Sequence, residues 1–240
     1  SSRSRIQTRE NLMFRSFSLL WQLLNYKPNQ PDNADLIAKV VLHFTGNSID
    51  NQIELWSKTD TGQRYLAGER IIDNIESFRT RDTNTLGHRY LQFMDKFYFD
   101  KLGEKLDLNK NGKVGDNVKQ KYGLFIMDCH DFLHVITGYP PTPYGELMRI
   151  KIYKQYEGRG WAVVDMVGKV WAYSKGIKEA RRYRELAREA RQTRKLAQNY
   201  IFENWFEMLG WHINKVRKNL STNSTILHNY ENDYSSKISS

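Results

Sequence analysis

The residues with the most evident chemistry are two histidines four positions apart, His130 and His134, with Asp131 between them and Glu146 twelve residues after the second histidine. Side chains at i and i+4 share one face of a helix, so a helix here would stack the two imidazoles, with Asp131 bordering the same arc. Two imidazoles and two carboxylates are a suitable ligand set for Zn²⁺ or a similar divalent ion. A histidine pair on a helix also occurs in purely structural settings, which is the alternative.

These four side chains can meet only if the chain reverses direction before Glu146. Gly138, Pro140 and Pro141 supply the reversal, because glycine commonly follows the last residue of a helix and proline cannot continue one. A new amphipathic run covers residues 146–156 and begins at Glu146. The sequence therefore predicts two successive helices, joined by a proline-containing bend, that bring the carboxylate of Glu146 to the histidine pair.

Apolar residues recur at helical spacing along most of the chain, and almost no stretch alternates with period two. We predict helices over residues 11–25, 34–45, 49–57, 85–99, 119–137 and 175–200. Residues 59–62 are predicted to form a turn before a helix that begins within 62–67, and 161–173 a short helix or a loop. The expectation is an all-α single domain spanning residues 1–240, with a long basic C-terminal helix, a basic and aromatic extension over 182–220 and a fraying tail over 221–240.

Composition limits the class of protein. The 240 residues are 40% hydrophobic and carry a net charge of +10, which predicts a folded chain with an anionic partner. The single cysteine, Cys129, precludes an intramolecular disulfide and is interpreted as buried packing. No run of about 18 apolar residues is present, and residues 1–9 lack the apolar region of a secretory signal.

A loop over residues 107–116 imitates the first half of a calcium-binding EF-hand. Asp107, Asn109, Asn111 and Gly112 fit that pattern, but Val118 stands where the bidentate glutamate belongs. We interpret this loop as a surface turn.

The motif and several other segments resemble the coenzyme Q biosynthesis protein 4 family. His130, Asp131, His134 and Glu146 match its H-D-x-x-H-x11-E signature, with Gly138, Pro140 and Gly145 at its loop positions. Supporting matches are residues 60–66, Thr85-Leu86-Gly87, Tyr90 and Phe93-Met94. The agreement runs from about residue 17 to residue 181.

The resemblance implies a helical, peripheral membrane protein of ubiquinone biosynthesis. It implies that His130, Asp131, His134 and Glu146 form a divalent-metal site with catalytic function, holding Zn²⁺ or alternatively Mg²⁺. Asp131 would either bind the metal or orient a histidine. The implied partners are a polyprenyl lipid or prenylated quinone precursor, an anionic membrane surface and other quinone-biosynthesis enzymes. The implied activity is oxidative decarboxylation of the prenylated ring, in the cytoplasm or on the matrix face of an organelle such as the mitochondrion.

One departure from the family concerns the site itself. Its members carry arginine three residues before the first histidine, where this chain has Met127. A guanidinium there would hold a carboxylate through two hydrogen bonds, so its absence leaves the exact substrate open.

The basic segment over residues 175–195 has nine Lys or Arg and three Glu. It is interpreted either as a solvated helix face or, with the aromatic residues over 201–211, as a membrane-binding surface. No nucleic-acid-reading module is recognisable, so nucleic acid is not a predicted partner. A homodimer is left open.

Three functions are compatible with these residues. The first is a metal-dependent enzyme of prenylquinone metabolism, and the second is a non-catalytic carrier of isoprenoid lipids or an assembly factor. The third is an HD-type phosphohydrolase, which would use His88, His130, Asp131 and Asp165 and would not need Glu146. No flavin or nicotinamide fingerprint is present. If the chain is the metal-dependent enzyme, its oxidant would therefore be dioxygen or a partner protein.

Overall fold

The computed structural model describes residues 40, 43–46, 49–97 and 117–222. The α-helices among them are α1 Asp50–Ser57, α2 Asp60–Leu66, α3 Leu86–Phe97, α4 Val118–Thr137, α5 Pro143–Glu157, α6 Arg159–Ser174, α7 Ile177–Leu196, α8 Trp205–Met208 and α9 Ile213–Asn219. Short 3₁₀ turns occupy Ile75–Phe78 and Tyr200–Phe202. The described residues form no strand, only an isolated bridge between Thr85 and His212. The all-α prediction is confirmed.

The chain divides into two compact units. One comprises Ser1–Ile49 and Tyr153–Arg188, and the other Asp50–Ile152 and Glu189–Ser240. In the first unit, the backbone N–H of Gly160 donates to Thr45 Oγ1 over 3.1 Å. An ion pair joins Lys154 of α5 to Asp165 of α6 in the same unit.

The core of the second unit is built around α4, which packs against α1, α2, α3 and α9. On one side Trp56 and Phe125 have ring centroids 5.3 Å apart. Further along the helix, Phe132 stacks on Tyr90 with centroids 4.0 Å apart and contacts Trp205 at 5.7 Å. These rings are fully buried. Large aromatic side chains thus pack around most of α4, and this packing fixes the rotation of the helix that carries both histidines.

Local capping explains where two helices begin. Asn117 caps α4 by accepting from the backbone N–H of Gln120 over 2.9 Å. Thr59 caps α2 by accepting from the N–H of Gly62 over 3.0 Å. Because Thr59 is a cap, α2 starts at Asp60, and the turn predicted over 59–62 is shorter than expected.

The apolar residues over 201–211 are divided between the core and the surface. Ile201, Trp205 and Met208 are at most 1% exposed. Asn199 and Asn204 cap the Tyr200–Phe202 turn and α8, so the chain bends repeatedly after α7 instead of continuing as one amphipathic helix. The membrane interpretation therefore fails for Trp205, but it stays a prediction for Phe202, which is 40% exposed, and for the partly exposed Phe206 and Trp211.

Elsewhere the predicted and observed helices agree closely, and residues 161–173 are confirmed as helical within α6. Helix α7 matches the predicted long basic segment. Among residues 34–45, the described residues 40 and 43–45 are helical. The predicted helix over 11–25, the loop over 107–116 and the tail from residue 223 lie outside the described residues. No helix in the described part of the chain is both long and apolar enough to cross a bilayer.

Candidate metal site

The bend between α4 and α5 is built from residues with distinct local roles. Gly138 ends α4 in the left-handed conformation, with φ 74°, and its N–H donates to the carbonyl of His134 over 2.8 Å. Thr142 then opens α5 by accepting from the N–H of Gly145 through Oγ1. Pro143 occupies the first helical position, where its missing N–H costs nothing. Helix α5 consequently begins three residues earlier than the run predicted from Glu146.

Gly145 allows the bend to close tightly. A Cβ atom on this residue would lie 1.8 Å from the carbonyl oxygen of Pro140, far inside van der Waals contact. Since Glu146 is the next residue, the close approach at Gly145 helps to set where its carboxylate lies. Glu146 is also in the first turn of α5, where the positive end of the helix dipole favours an ionised side chain.

Both histidines direct the same ring nitrogen toward this carboxylate. His134 Nε2 lies 3.3 Å from His130 Nε2 and 3.1 Å from Glu146 Oε1. His130 Nε2 lies 3.3 Å from Glu146 Oε2. Two donor atoms bound to one zinc ion in a tetrahedron would be separated by about 3.3–3.6 Å, given bond lengths of about 2.0–2.2 Å. The three side chains therefore have the spacing of ligands around a common ion.

The tautomer of His134 is set by its second nitrogen. Nδ1 lies 2.8 Å from the backbone carbonyl oxygen of Tyr139, which can only accept, so Nδ1 carries the hydrogen and donates. In the neutral ring, Nε2 then presents a lone pair toward the carboxylate of Glu146. Two acceptors 3.1 Å apart repel each other unless a proton or a cation lies between them. This donor set suits a divalent cation.

The neighbours of His134 hold its ring in place. Its side chain is fully buried, and the ring of Phe93 lies nearly parallel to it with centroids 5.9 Å apart. His130 and Glu146 are more accessible, with side chains 27% and 33% exposed. The site thus has a rigid inner ligand and two ligands that solvent or substrate can reach.

Electrostatics favour the ligand forms of both outer residues. Burial lowers the pKa of His130, and the nearby positive charge of Arg149 lowers it further, so the imidazole is neutral near pH 7. Burial by itself would raise the pKa of Glu146, but the positive charge that the two imidazoles carry when protonated outweighs it and holds that pKa well below its usual range. A neutral imidazole and an ionised carboxylate are the forms that bind metal.

Asp131 has a different position from the other three predicted ligands. Its Oδ1 lies 4.0 Å from His130 Nε2, beyond the tetrahedral spacing, and its side chain is nearly buried. The convergent group consists of His130, His134 and Glu146. Asp131 therefore lies outside the convergent group, with its carboxylate on the Nε2 side of His130.

Arg149 is a site residue that the sequence analysis did not identify. It lies one turn after Glu146 on α5, with Nε 3.8 Å from Glu146 Oε2 and a side chain 1% exposed. Met127, which stands where the family carries an arginine, is half exposed on α4. The spacing of three residues between Glu146 and Arg149 on one helix was the sequence signal that could have placed Arg149 near the site.

The geometry gives the HD-type alternative no support. His88 is on α3, where its Nδ1 contacts the carbonyl oxygen of Phe78 at 3.0 Å. Asp165 pairs with Lys154 in the other unit. Neither residue belongs to the convergent group found among the described residues. Glu146, which that class of enzyme does not need, does belong to it.

The chain is similar to known proteins. The family model described as coenzyme Q (ubiquinone) biosynthesis protein Coq4 matches residues 9–225, which includes the segment over 182–220 treated above as an extension. Two curated relatives, both named ubiquinone biosynthesis protein COQ4, mitochondrial, come from two strains of Ajellomyces capsulatus. Each is 29% identical over 126 residues. The match covers 49% of this chain and 43% of each relative, so it spans less than half the length of these relatives.

A solved structure has the same fold. The crystal structure described as a "Putative ubiquinone biosynthesis protein" from Nostoc punctiforme superimposes with a TM-score of 0.64. The superposition covers 87% of this chain and 97% of that one, at 13% sequence identity. At that identity the likeness concerns the fold.

Proposed function

This chain belongs to the coenzyme Q (ubiquinone) biosynthesis protein Coq4 family, and from this we propose that it acts in ubiquinone biosynthesis as a metal-dependent enzyme. Its substrate is a prenylated aromatic ring that carries a carboxylate, and the reaction replaces that carboxylate with a hydroxyl group. The observation that carries the proposal is the convergence of His130 Nε2, His134 Nε2 and the Glu146 carboxylate within ligand distance of one another.

The site residues have separable roles in this proposal. His130, His134 and Glu146 hold a divalent ion, which we propose to be zinc, and Asp131 adds a carboxylate beside the metal-facing nitrogen of His130. A bound dication supplies Lewis-acid polarisation of a phenol or carboxylate oxygen. The exposed edges of His130 and Glu146 give the aromatic ring of the substrate access to the site. The buried His134 keeps the ligand set rigid.

Replacing a ring carboxylate by hydroxyl is a two-electron oxidation. The carbon–carbon bond to the carboxylate breaks with release of carbon dioxide, and a new carbon–oxygen bond forms at the same ring carbon. We propose that dioxygen accepts the two electrons and leaves as hydrogen peroxide, while water supplies the hydroxyl oxygen, so that the acid, water and dioxygen give the phenol, carbon dioxide and hydrogen peroxide. The polyprenyl tail of the substrate is proposed to bind apolar surface of the same protein.

We predict that the zinc-loaded chain converts a prenylated hydroxybenzoate to its hydroxylated product under oxygen. The substrate is labelled with ¹³C in its carboxylate. Mass spectrometry then detects both the labelled carbon dioxide and the new phenol. Metal-free protein and a prenylated phenol that lacks the carboxylate are the controls. If the protein binds zinc and prenylated ligand stoichiometrically but yields neither product, the chain is a carrier or assembly protein and the catalytic proposal fails.

We also propose that the chain acts at the surface of an anionic membrane, on the matrix side of the mitochondrial inner membrane in a eukaryote. An exposed apolar stripe supports this: Met166, Val170 and Tyr173 of α6 and Ile177 at the start of α7 are 43–81% exposed. Their spacing of four, three and four residues places the three α6 members on one helix face.

Basic residues surround this stripe. Lys169, Lys175 and Lys178 are exposed, and Lys169 Nζ lies 5.9 Å from the ring centroid of Tyr173. Apolar and aromatic side chains with flanking lysines fit the headgroup region of an anionic bilayer, where each cation near the surface contributes about 1 kcal/mol. The charge favours this partner over a second copy of the same basic surface, since like charges would face each other.

The M166S/V170S double variant is expected to bind vesicles containing anionic phospholipid about tenfold more weakly than the parent, because two apolar side chains no longer enter the headgroup region. Co-sedimentation with vesicles measures this, and added salt should weaken binding of the parent. Leu55→Ser on α1, also an exposed apolar position, is the matched control and should bind normally. Unchanged binding of the double variant, or a parent dimer that the double variant loses, would refute the assignment of this surface.

A further inference from the structure

Arg217 of α9 contacts the end of the helix that carries both histidines. Its Nε donates to the carbonyl oxygen of Ile136 over 2.9 Å, and its Nη2 donates to the carbonyl oxygen of Val135 over 3.2 Å. One edge of the planar guanidinium thus binds two successive carbonyls. Arg217 lies 81 residues after Ile136 in the chain, so this contact depends on the tertiary fold and not on the sequence around α4.

The two carbonyls belong to the last turn of α4. The last four carbonyls of an α-helix have no N–H partner within the helix. In α4 the carbonyl of His134 accepts from the N–H of Gly138, and Arg217 supplies donors for the next two carbonyls. The positive charge of a guanidinium also interacts favourably with the negative end of the helix dipole. Arg217 therefore fixes the last turn of α4 both by hydrogen bonds and by charge.

This turn lies between the groups that set the ring of His134. The ring is attached to α4, and its Nδ1 donates to the carbonyl oxygen of Tyr139, which lies beyond the end of the helix. Val135 and Ile136 stand between these two points, so a shift of their backbone changes the distance from the imidazole to the Tyr139 carbonyl. The bend that leads to Glu146 begins at the same turn. Freedom in this turn would consequently move two of the three proposed ligands.

The backbone around Arg217 is held on both sides. Val216 is fully buried, and Ile213 is 6% exposed. At the start of α9, the N–H of Ile213 donates to the carbonyl oxygen of Asn84 over 2.8 Å. After the helix, the N–H of Thr222 donates to the carbonyl oxygen of Arg217 over 2.9 Å. These contacts anchor α9, so its arginine reaches the end of α4 from a fixed position.

We infer that Arg217 is a positioning residue for the proposed metal site. By holding the last turn of α4, it keeps His134 and Glu146 at ligand distance from each other and from His130. This inference rests on the proposed function, because it requires an ion held by these three side chains. Arg217 acts through the backbone of α4, so its loss should loosen the site while every ligand remains in the chain.

Arg217→Ala should lower zinc affinity about tenfold, at the lower end of the 10- to 100-fold loss that is typical of residues that orient a metal ligand. Competition with a chromophoric chelator measures this affinity. Lys218→Ala removes a positive charge from the adjacent, exposed position of the same helix and is the matched control. Its zinc affinity should equal that of the parent.

Two further measurements distinguish positioning from a general loss of stability. Co²⁺ bound in place of zinc has visible absorption bands that report ligand geometry, so these bands should shift in folded Arg217→Ala and not in Lys218→Ala. Amide hydrogen exchange should become faster over residues 135–146 of Arg217→Ala and stay parental in α1, because only the end of α4 and the bend lose support. If the alanine variant does not fold, Arg217→Lys replaces it. Lysine keeps the charge but not the planar edge, so it should show smaller changes of the same kind.

Chemical rescue tests the guanidinium itself. Ethylguanidinium matches the part of the side chain that Arg217→Ala removes, so adding it at millimolar concentration should restore part of the lost zinc affinity. Ethylammonium at the same concentration provides a cation without the planar donor edge and should restore less.

The outcomes separate this inference from the proposed function. If folded Arg217→Ala has the zinc affinity and the cobalt spectrum of the parent, the role of Arg217 is overturned and the metal site stands. An equally large change in Lys218→Ala also overturns it, because the effect would then come from net charge alone. A parent that binds neither zinc nor cobalt overturns the metal site and this inference together.

Discussion

His134→Ala is expected to lower the zinc affinity of the chain by at least about 100-fold. Losing a residue that only orients a ligand typically costs 10- to 100-fold, so losing a ligand itself should cost more. His134 is also the ligand that cannot be replaced by a neighbouring side chain, because it is fully buried between Phe93 and the Tyr139 carbonyl. Chelator competition together with elemental analysis of the purified protein measures the affinity and the stoichiometry.

His88→Ala is the matched control for this experiment, since it removes a histidine from the neighbouring helix α3 that does not join the convergent group. Its zinc affinity should equal that of the parent. If the His134→Ala variant still bound one zinc ion per chain with the affinity of the parent, the imidazoles would not hold the ion. The geometry would then reflect a protonated histidine paired with Glu146.

The same measurement decides the role of Asp131. Asp131→Asn keeps the size and one acceptor oxygen, so an orienting residue should lose about 10- to 100-fold in zinc affinity. A loss as large as that of His134→Ala would instead identify Asp131 as a fourth ligand.

Short-range sequence rules predicted the part of the site that depends on them. The i, i+4 spacing of His130 and His134 and the stop at Gly138 act over one or two helical turns, and the structure follows both. The early start of α5 depends on Thr142 and Pro143, which are also local signals, although the run was predicted to begin only at Glu146. Helix boundaries could therefore have been placed more accurately from the sequence.

Features that depend on tertiary packing could not be predicted in the same way. Trp205 and Met208 look like part of a membrane-facing stripe in sequence, and only the packing of Trp205 against Phe132 and the burial of Met208 show them to be core. Arg149 looks like one of many basic residues in a chain of net charge +10, and only its burial distinguishes it. The exposed stripe of α6 was likewise not recognisable within a segment that is mostly apolar on all its faces.

A second large effect is expected at a buried ion pair two residues before the first histidine. Asp128 accepts from Arg70 Nη2 at 2.7 Å, from Arg70 Nε at 3.0 Å and from the Tyr65 hydroxyl at 2.7 Å. The side chains of Arg70 and Asp128 are at most 1% exposed. Burial, followed by the charge of Asp128, raises the pKa of Tyr65 well above its usual value, so the phenol keeps its proton and donates. This network joins α4 to α2 and to the loop that follows α2.

Asp128→Ala should lower the free energy of unfolding by about 3–5 kcal/mol, because it leaves the guanidinium of Arg70 buried without its counter-charge. The loss of stability arises from the unpaired buried charge of Arg70. The double variant R70M/D128L should therefore recover most of the stability, because replacing a whole buried ion pair by apolar residues is often neutral or stabilising. Urea unfolding measures both. Asp95→Ala removes an acid from the exposed pair with Arg79, whose side chains are about half exposed, and should cost under about 1 kcal/mol. If Asp128→Ala cost no more than Asp95→Ala, the network would contribute little to the stability of the fold. The position of α4, and of the histidines on it, would then depend on the aromatic core alone.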